Sequence, residues 1–218
     1  MAEEERISAI VVDGMSEKER ADLGLRFRNE HHAQTFFVRV LAPSHFHWHF
    51  HQAYKALQSN LFLPGVSGLL NGIEASIRTL ICEVEGRPLD GDLGKVMSNR
   101  LLSEASGKGL DVSLLAFPNE HDFAEKLPSN QRQDAVRIVQ ERNDICHGNF
   151  RRYVRSDAEF GEFFTPECVA PLAAQLLDIS FVWALELARF RQTYGLGHAA
   201  PIEETNPPGN PLVHWLEE

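Results

Sequence analysis

Cysteine is scarce in this chain of 218 residues, which has only three. Cys82, Cys146 and Cys168 are odd in number and far apart, so they match neither a disulfide framework nor the paired ligands of a zinc site. We therefore expect reduced thiols, which are typical of a cytoplasmic protein, and no cysteine-based metal site.

Long apolar runs, a secretory leader and the common catalytic signatures are missing as well. No run approaches the roughly 20 apolar residues of a membrane-spanning helix, and residues 1–5 are acidic where a signal peptide is basic. The sequence contains no glycine-rich phosphate loop, no Gly-x-Ser-x-Gly elbow and no His-Glu-x-x-His helix. We expect a cytoplasmic protein that has no contact with a membrane.

Basic residues are also fewer than acidic ones: the chain has 21 Lys and Arg and 31 Asp and Glu, which gives a net charge of −10. Such a balance argues against broad, non-specific nucleic-acid binding. Residues 126–155 are the exception, because seven basic residues outnumber three acidic ones there. Arg151, Arg152 and Arg155 end this stretch, which is either a solvated basic loop or a surface for RNA phosphates.

Helical periodicity is what the sequence has in abundance. Apolar residues recur every three or four positions over 66–84, and similar patterns predict helices over 45–61, 94–105, 129–147 and 165–193. The spacing predicts an all-α, antiparallel, up-and-down bundle over residues 44–194. The last helix is apolar on two faces, one of which carries Leu177, Phe181, Leu185 and Ala188. We expect one face to contact the bundle and the other to be able to contact a second subunit.

The two ends of the chain differ from this pattern. Within residues 1–43, the segments Ile7–Val12 and Thr35–Val40 are rich in β-branched and aromatic residues, which favours short strands that can pair as an N-terminal β-hairpin appendage. Residues 195–218 are rich in Pro and Gly, so we expect an extended or poorly ordered tail.

The most informative segment is 141–149, which reads Glu-Arg-Asn-Asp-Ile-Cys-His-Gly-Asn. Arg142 falls within the apolar stripe of its helix, where a guanidinium is costly to desolvate unless it is paired or meets an anion. Asn143 and His147 are four residues apart and share a helix face. Gly148 is placed to end the helix.

An Arg followed by Asn, three further residues and His-Gly resembles the signature of the HEPN superfamily of helical bundles, many of which are metal-independent ribonucleases and toxins. The resemblance implies a homodimer without metal or cofactor that cuts RNA by attack of the 2′-OH, leaving a 2′,3′-cyclic phosphate. Arg142, Asn143 and His147 would be its catalytic residues. A toxin or phage-defence role, with an antitoxin or regulatory protein as partner, follows from the same resemblance. The pair Arg26 and His31 has similar spacing, but no Asn follows Arg26.

One acidic residue outside the motif is a candidate to support the site. Glu74 lies at the rim of the apolar stripe over 66–84, and the resemblance implies an acidic or polar residue near the motif, so Glu74 is a candidate to hold Arg142. A surface pair between Glu74 and Arg78, four residues on, is an equally good interpretation.

Four histidines alternate with aromatic residues over 45–51. His47 and His51, like His45 and His49, have the spacing of two metal ligands on one helix face, but no third ligand follows. We favour helix packing for the aromatic residues, and expect no metal site.

Three functional hypotheses remain at this point. A HEPN-type endoribonuclease is favoured by Arg142 and the basic cluster. A non-catalytic HEPN-like binding or regulatory module is favoured by the net charge of −10. A metal-dependent helical protein would use the histidine run.

Overall fold

The structure is a computed structural model that describes residues 15–41, 45–88, 96–129, 131–159, 161–197 and 206–216. The α-helices are α1 (Glu17–Leu41), α2 (His47–Gln58), α3 (Phe62–Glu85), α4 (Asn99–Gly107), α5 (Phe123–Lys126), α6 (Arg137–Cys146) and α7 (Ala170–Thr193). Short 3-10 turns occupy Val112–Leu115, Arg132–Asp134, Arg151–Tyr153, Pro166–Val169 and Val213–Leu216. The predicted mainly-α bundle is confirmed.

A β-hairpin is present, but it follows the motif helix. β1 (Arg155–Asp157) pairs with β2 (Gly161–Phe163) in antiparallel register, with Arg155 opposite Phe163. The hairpin predicted at the N-terminus is wrong for Thr35–Val40, which lies in α1. The other segment, Ile7–Val12, lies outside the described residues.

Helix α1 belongs to the core rather than to an appendage. Ala33, Phe36, Phe37 and Val40 follow the i, i+3, i+4, i+7 pattern of one helix face, and each is at most 5% exposed. Burial on one helical stripe outweighs the strand preference of the β-branched and aromatic residues, which depends strongly on context. The predicted division between an appendage over 1–43 and a bundle over 44–194 therefore separates residues that share one core.

The same helix explains why α7 is apolar on two faces. The Phe181 ring lies 5.3 Å from Phe36 and 5.2 Å from Phe37, as measured between ring centroids. Leu177, Phe181 and Ala188 are at most 1% exposed within this single chain. This second apolar face is thus covered by α1 at Phe181, whereas Leu185 on the same face is half-buried.

Burial also explains the hydropathy of α7. Residues 166–193 are long and apolar enough to cross a membrane, with a mean hydropathy of 1.7 over their most apolar window. However, 72% of that window is buried inside the protein, as in the central helix of a soluble bundle. The helix contains no uninterrupted apolar run of membrane-spanning length, and its burial favours a soluble protein.

Three glycines bring α2 and α3 into close contact. A Cβ added at Gly68 would lie 2.8 Å from the Ala53 Cβ, and one added at Gly72 would lie 3.1 Å from the His49 Cβ. At Gly65 it would overlap the Leu57 side chain. The absence of side chains along this stripe of α3 lets the backbones approach, and this contact fixes the histidine-bearing helix against the core.

The tail is partly packed. Residues 206–210 have no regular structure, as expected, but Leu212 is 4% exposed and the Trp215 ring lies 5.8 Å from that of Phe62. The Asn210 amide donates to the Ala174 carbonyl at 2.9 Å. Residues 210–215 are therefore attached to the bundle.

Candidate functional site

The motif helix α6 is shorter than predicted and ends where predicted. It spans Arg137–Cys146 instead of 129–147. Gly148 has a φ of +69°, and its N–H donates to the Ile145 carbonyl at 3.3 Å, while the Asn149 N–H donates to the Asp144 carbonyl at 2.8 Å. These two bonds form a Schellman ending, which stops the helix directly before the exposed His147 and Gly148.

The start of α6 is set by one side chain on α4. The buried Asn99 amide nitrogen donates to the carbonyls of Lys126, Ser129 and Asp134 at 2.8, 3.2 and 3.0 Å. Its oxygen accepts the N–H of Val136 at 3.0 Å. Because these backbone groups bond to Asn99, residues 131–136 form a 3-10 turn and a connector rather than the first turns of the motif helix.

Replacing Asn99 with Ala is expected to destabilise the protein by about 2–4 kcal/mol, since several buried backbone groups lose their partner together. Thermal and urea unfolding measure the loss. Asn119→Ala is the control, because it removes an exposed amide that has no hydrogen bond in the described part of the chain. Equal stability of the two variants would contradict the anchoring role of Asn99.

Arg142 is held by an acidic residue of α3. Its Nε donates to the Glu74 Oε2 at 2.7 Å, and the two side chains are 16% and 8% exposed. Arg78 reaches the other oxygen of the same carboxylate at 3.5 Å. Both interpretations of Glu74 are therefore realised at once. Among the described residues, no partner is found for the Nη2 of Arg142.

Asn143 contacts the arginine of that ion pair, whereas His147 makes no hydrogen bond or ion pair with it in the described part of the chain. The Asn143 oxygen is 3.5 Å from the Arg142 Nη1, and its side chain lines a cavity between α6 and α4. His147 is exposed at the helix end, and its imidazole has no hydrogen-bond partner in the described ranges. On an ideal helix His147 is about 40° from Asn143 and about 140° from Arg142. The structure brings together Arg142 and Glu74, and leaves His147 free in solvent.

Sequence reasoning missed a second buried acid, Glu141, which is 2% exposed. It accepts hydrogen bonds from Arg137 Nε at 3.1 Å and from the Tyr153 hydroxyl, and it lies 3.3 Å from Arg152 Nη1. Burial, followed by the bond to Glu141, raises the pKa of Tyr153 well above its usual range. The four-residue spacing of Arg137 and Glu141 was the available signal. This network joins α6 to the turn that carries the basic residues.

The three arginines predicted to bind RNA differ in their surroundings. Arg152 is engaged by Glu141 and also by Asp144 at 3.1 Å. Arg151 and Arg155 are exposed, and neither forms an ion pair within the described part of the chain. The local excess of positive charge is thus partly neutralised, and two arginines beyond the motif are left to meet an anion.

The histidine run lies at the start of α2. Burial is the main reason that the pKa values of His49 and His51 are lowered, and neighbouring positive charges add to the effect. Trp48 is 53% exposed, and its ring lies against that of His47 in a tilted arrangement, with the ring centroids 4.7 Å apart. In the described part of the chain, no group of three or more His, Cys, Asp or Glu side chains is arranged to hold a metal ion.

No family model, no curated protein and no solved structure matches the chain. We therefore infer its function from the geometry of α6 and its neighbours.

Proposed function

We propose that this protein is a metal-independent endoribonuclease of the HEPN type, which cuts RNA to leave a 2′,3′-cyclic phosphate and a free 5′-OH. One observation carries the proposal. Arg142 occupies a largely buried position and is held by Glu74 through Nε, while its Nη2 has no partner in the described part of the chain. A guanidinium oriented in this way is suited to a phosphate oxygen.

The proposed chemistry needs a base and a charge stabiliser. His147 accepts the proton of a ribose 2′-OH, as an imidazole can near neutral pH. The 2′ oxygen attacks the adjacent phosphorus, the bond to the 5′ oxygen breaks, and Arg142 stabilises the negative charge that grows on the phosphoryl oxygens. The leaving 5′ oxygen takes a proton from the partner subunit's His147.

A dimer is part of the proposal because Arg142 and His147 leave α6 about 140° apart. Two copies of α6 related by a twofold axis can face one another, so that each phosphate meets an arginine and a histidine from different chains. The interface would lie at α6, since α1 covers the second face of α7. The proposal places the protein in the cytoplasm, as a toxin or phage-defence component controlled by an antitoxin or regulatory protein.

The test is incubation of the protein with total RNA, tRNA and single-stranded DNA in EDTA. We expect cleavage of the RNAs alone, with cyclic-phosphate and 5′-OH ends, and a dimeric mass by light scattering. DNA lacks the 2′-OH and is expected to stay intact. RNA that stays intact, or that is cut only when a divalent metal is added, would overturn the proposal.

The second candidate is a non-catalytic binding or regulatory module. It is favoured by the ion pairs of Arg142 and Arg152 with acidic residues of the same chain, because a purely structural role predicts such pairs. This candidate predicts a stable protein that leaves RNA intact in the same experiment and forms a complex with a protein partner.

A further inference from the structure

A cavity of about 240 Å³ lies beside the motif helix, between α4 and the connector that leads into α6. Asn143 of the motif lines it, together with Arg100 of α4 and Gln131 of the connector. The cavity is smaller than the roughly 300–1,000 Å³ of pockets that take drug-sized ligands. Its size therefore suits one small planar group.

The polar wall of this cavity presents hydrogen-bond donors. The Gln131 Oε1 is occupied by the Gln133 amide at 2.6 Å, which leaves the Gln131 NH₂ group available. The Asn143 oxygen faces the Arg142 Nη1, which likewise leaves the Asn143 NH₂ group. The exposed Arg100 forms no ion pair or hydrogen bond in the ranges that the structure describes.

Part of the lining is apolar. Met97 and Val139, which are 1% and 3% exposed, line the cavity with Ala135. A flat ring can bury its face against such residues, and the Met sulfur favours contact with aromatic rings. Apolar residues combined with several donors recognise a base by its face and its edge.

We propose that this cavity binds one guanine of a single-stranded RNA, with Arg100, Gln131 and Asn143 donating to the base. Guanine O6 and N7 are adjacent acceptors, which suit an arginine bidentately, whereas adenine and cytosine place an amino donor on the same edge. Uracil lacks the second adjacent acceptor. Asn143 is shared with the motif, so the guanine would lie next to the bond that is cut. This inference rests on the proposed ribonuclease function.

The test uses 2′-O-methyl oligoribonucleotides, which cannot undergo 2′-OH attack, with one central guanine, adenine or uracil in a cytosine background. Fluorescence anisotropy measures binding to the full chain. We expect the guanine oligonucleotide to bind about tenfold more tightly than the others. Replacing guanine with 7-deazaguanine removes N7, and is expected to abolish most of that preference.

Two variants connect the preference to the cavity. Arg100→Ala and Gln131→Ala alter exposed side chains, and each is expected to reduce the preference for guanine to about threefold or less. Arg87→Ala, which removes an exposed arginine at the end of α3, is the matched control and is expected to keep the preference. Equal binding of all oligonucleotides, no binding of any, or an undiminished preference in the Arg100→Ala and Gln131→Ala double variant would each overturn the proposal.

Failure of this inference can be told from failure of the ribonuclease proposal. Guanine-dependent binding without cleavage of unmodified RNA supports guanine binding in the cavity and contradicts the ribonuclease proposal. Cleavage of unmodified RNA with no base preference in binding supports the ribonuclease proposal and contradicts guanine binding in the cavity.

Discussion

Replacing His147 with Ala is expected to lower the rate of RNA cleavage by about 10²–10⁴-fold, which is the contribution of a general base. The melting temperature is expected to stay the same, because the imidazole is exposed and has no hydrogen-bond partner in the described ranges. Initial rates on a fluorogenic oligoribonucleotide in EDTA, together with thermal unfolding of each variant, measure both effects.

His121→Ala is the matched control for this experiment. His121 is also exposed, and it lies in the loop before α5, outside the motif segment 141–149. We expect this variant to cleave at the wild-type rate. A His147→Ala protein that keeps wild-type cleavage would show that the observed activity does not use the motif and comes from another site or from a contaminant.

Replacing both Arg142 and Glu74 with Met is expected to separate the structural role of the ion pair from its catalytic role. Arg142→Met alone leaves the Glu74 carboxylate buried with only the weaker contact to Arg78, at a cost of about 3 kcal/mol. The double variant removes both charges and is expected to recover most of that stability, since apolar residues replace buried ion pairs well. Cleavage is expected to be lower by about 10²–10³-fold in both proteins.

Arg78→Met is the control, because Arg78 contacts the same carboxylate from a side chain that is 31% exposed. Its loss is expected to cost less than about 1 kcal/mol and to leave cleavage intact. Urea unfolding and initial rates are compared across the four proteins. If the double variant is stable and cleaves as fast as the wild type, Arg142 is only a structural cation.

Part of the candidate site could be predicted from the sequence because it depends on residues that are close together in the chain. The end of α6 at Gly148 follows from residues that are adjacent in the chain, and the intruding Arg142 is visible from helical spacing alone. The partner of Arg142 was predicted only as one of two alternatives. Glu74 was a candidate, and a surface pair between Glu74 and Arg78 was the other interpretation. The structure contains both contacts, since one carboxylate has two oxygens.

The rest of the site depends on residues that are distant in the chain. Asn99 lies up to 37 positions from its four hydrogen-bond partners, and no periodic pattern in the sequence predicts these bonds with Lys126, Ser129, Asp134 and Val136. The predicted helix over 129–147 therefore began too early. Glu141 was not singled out, because a carboxylate beside an arginine four residues away resembles a surface pair. Its burial depends on the tertiary structure, in which the Tyr153 hydroxyl donates a hydrogen bond to it.

The sequence by itself determined the mainly-α class, the long helices α3 and α7 and the end of the motif helix, because these depend on apolar periodicity and local capping. Only the tertiary structure decided whether Thr35–Val40 is strand or helix and what covers the second face of α7. Both questions have one answer, which is the packing of Phe36 and Phe37 against Phe181. Periodicity shows that a face must be buried, but the partner that buries it is set by contacts between distant segments.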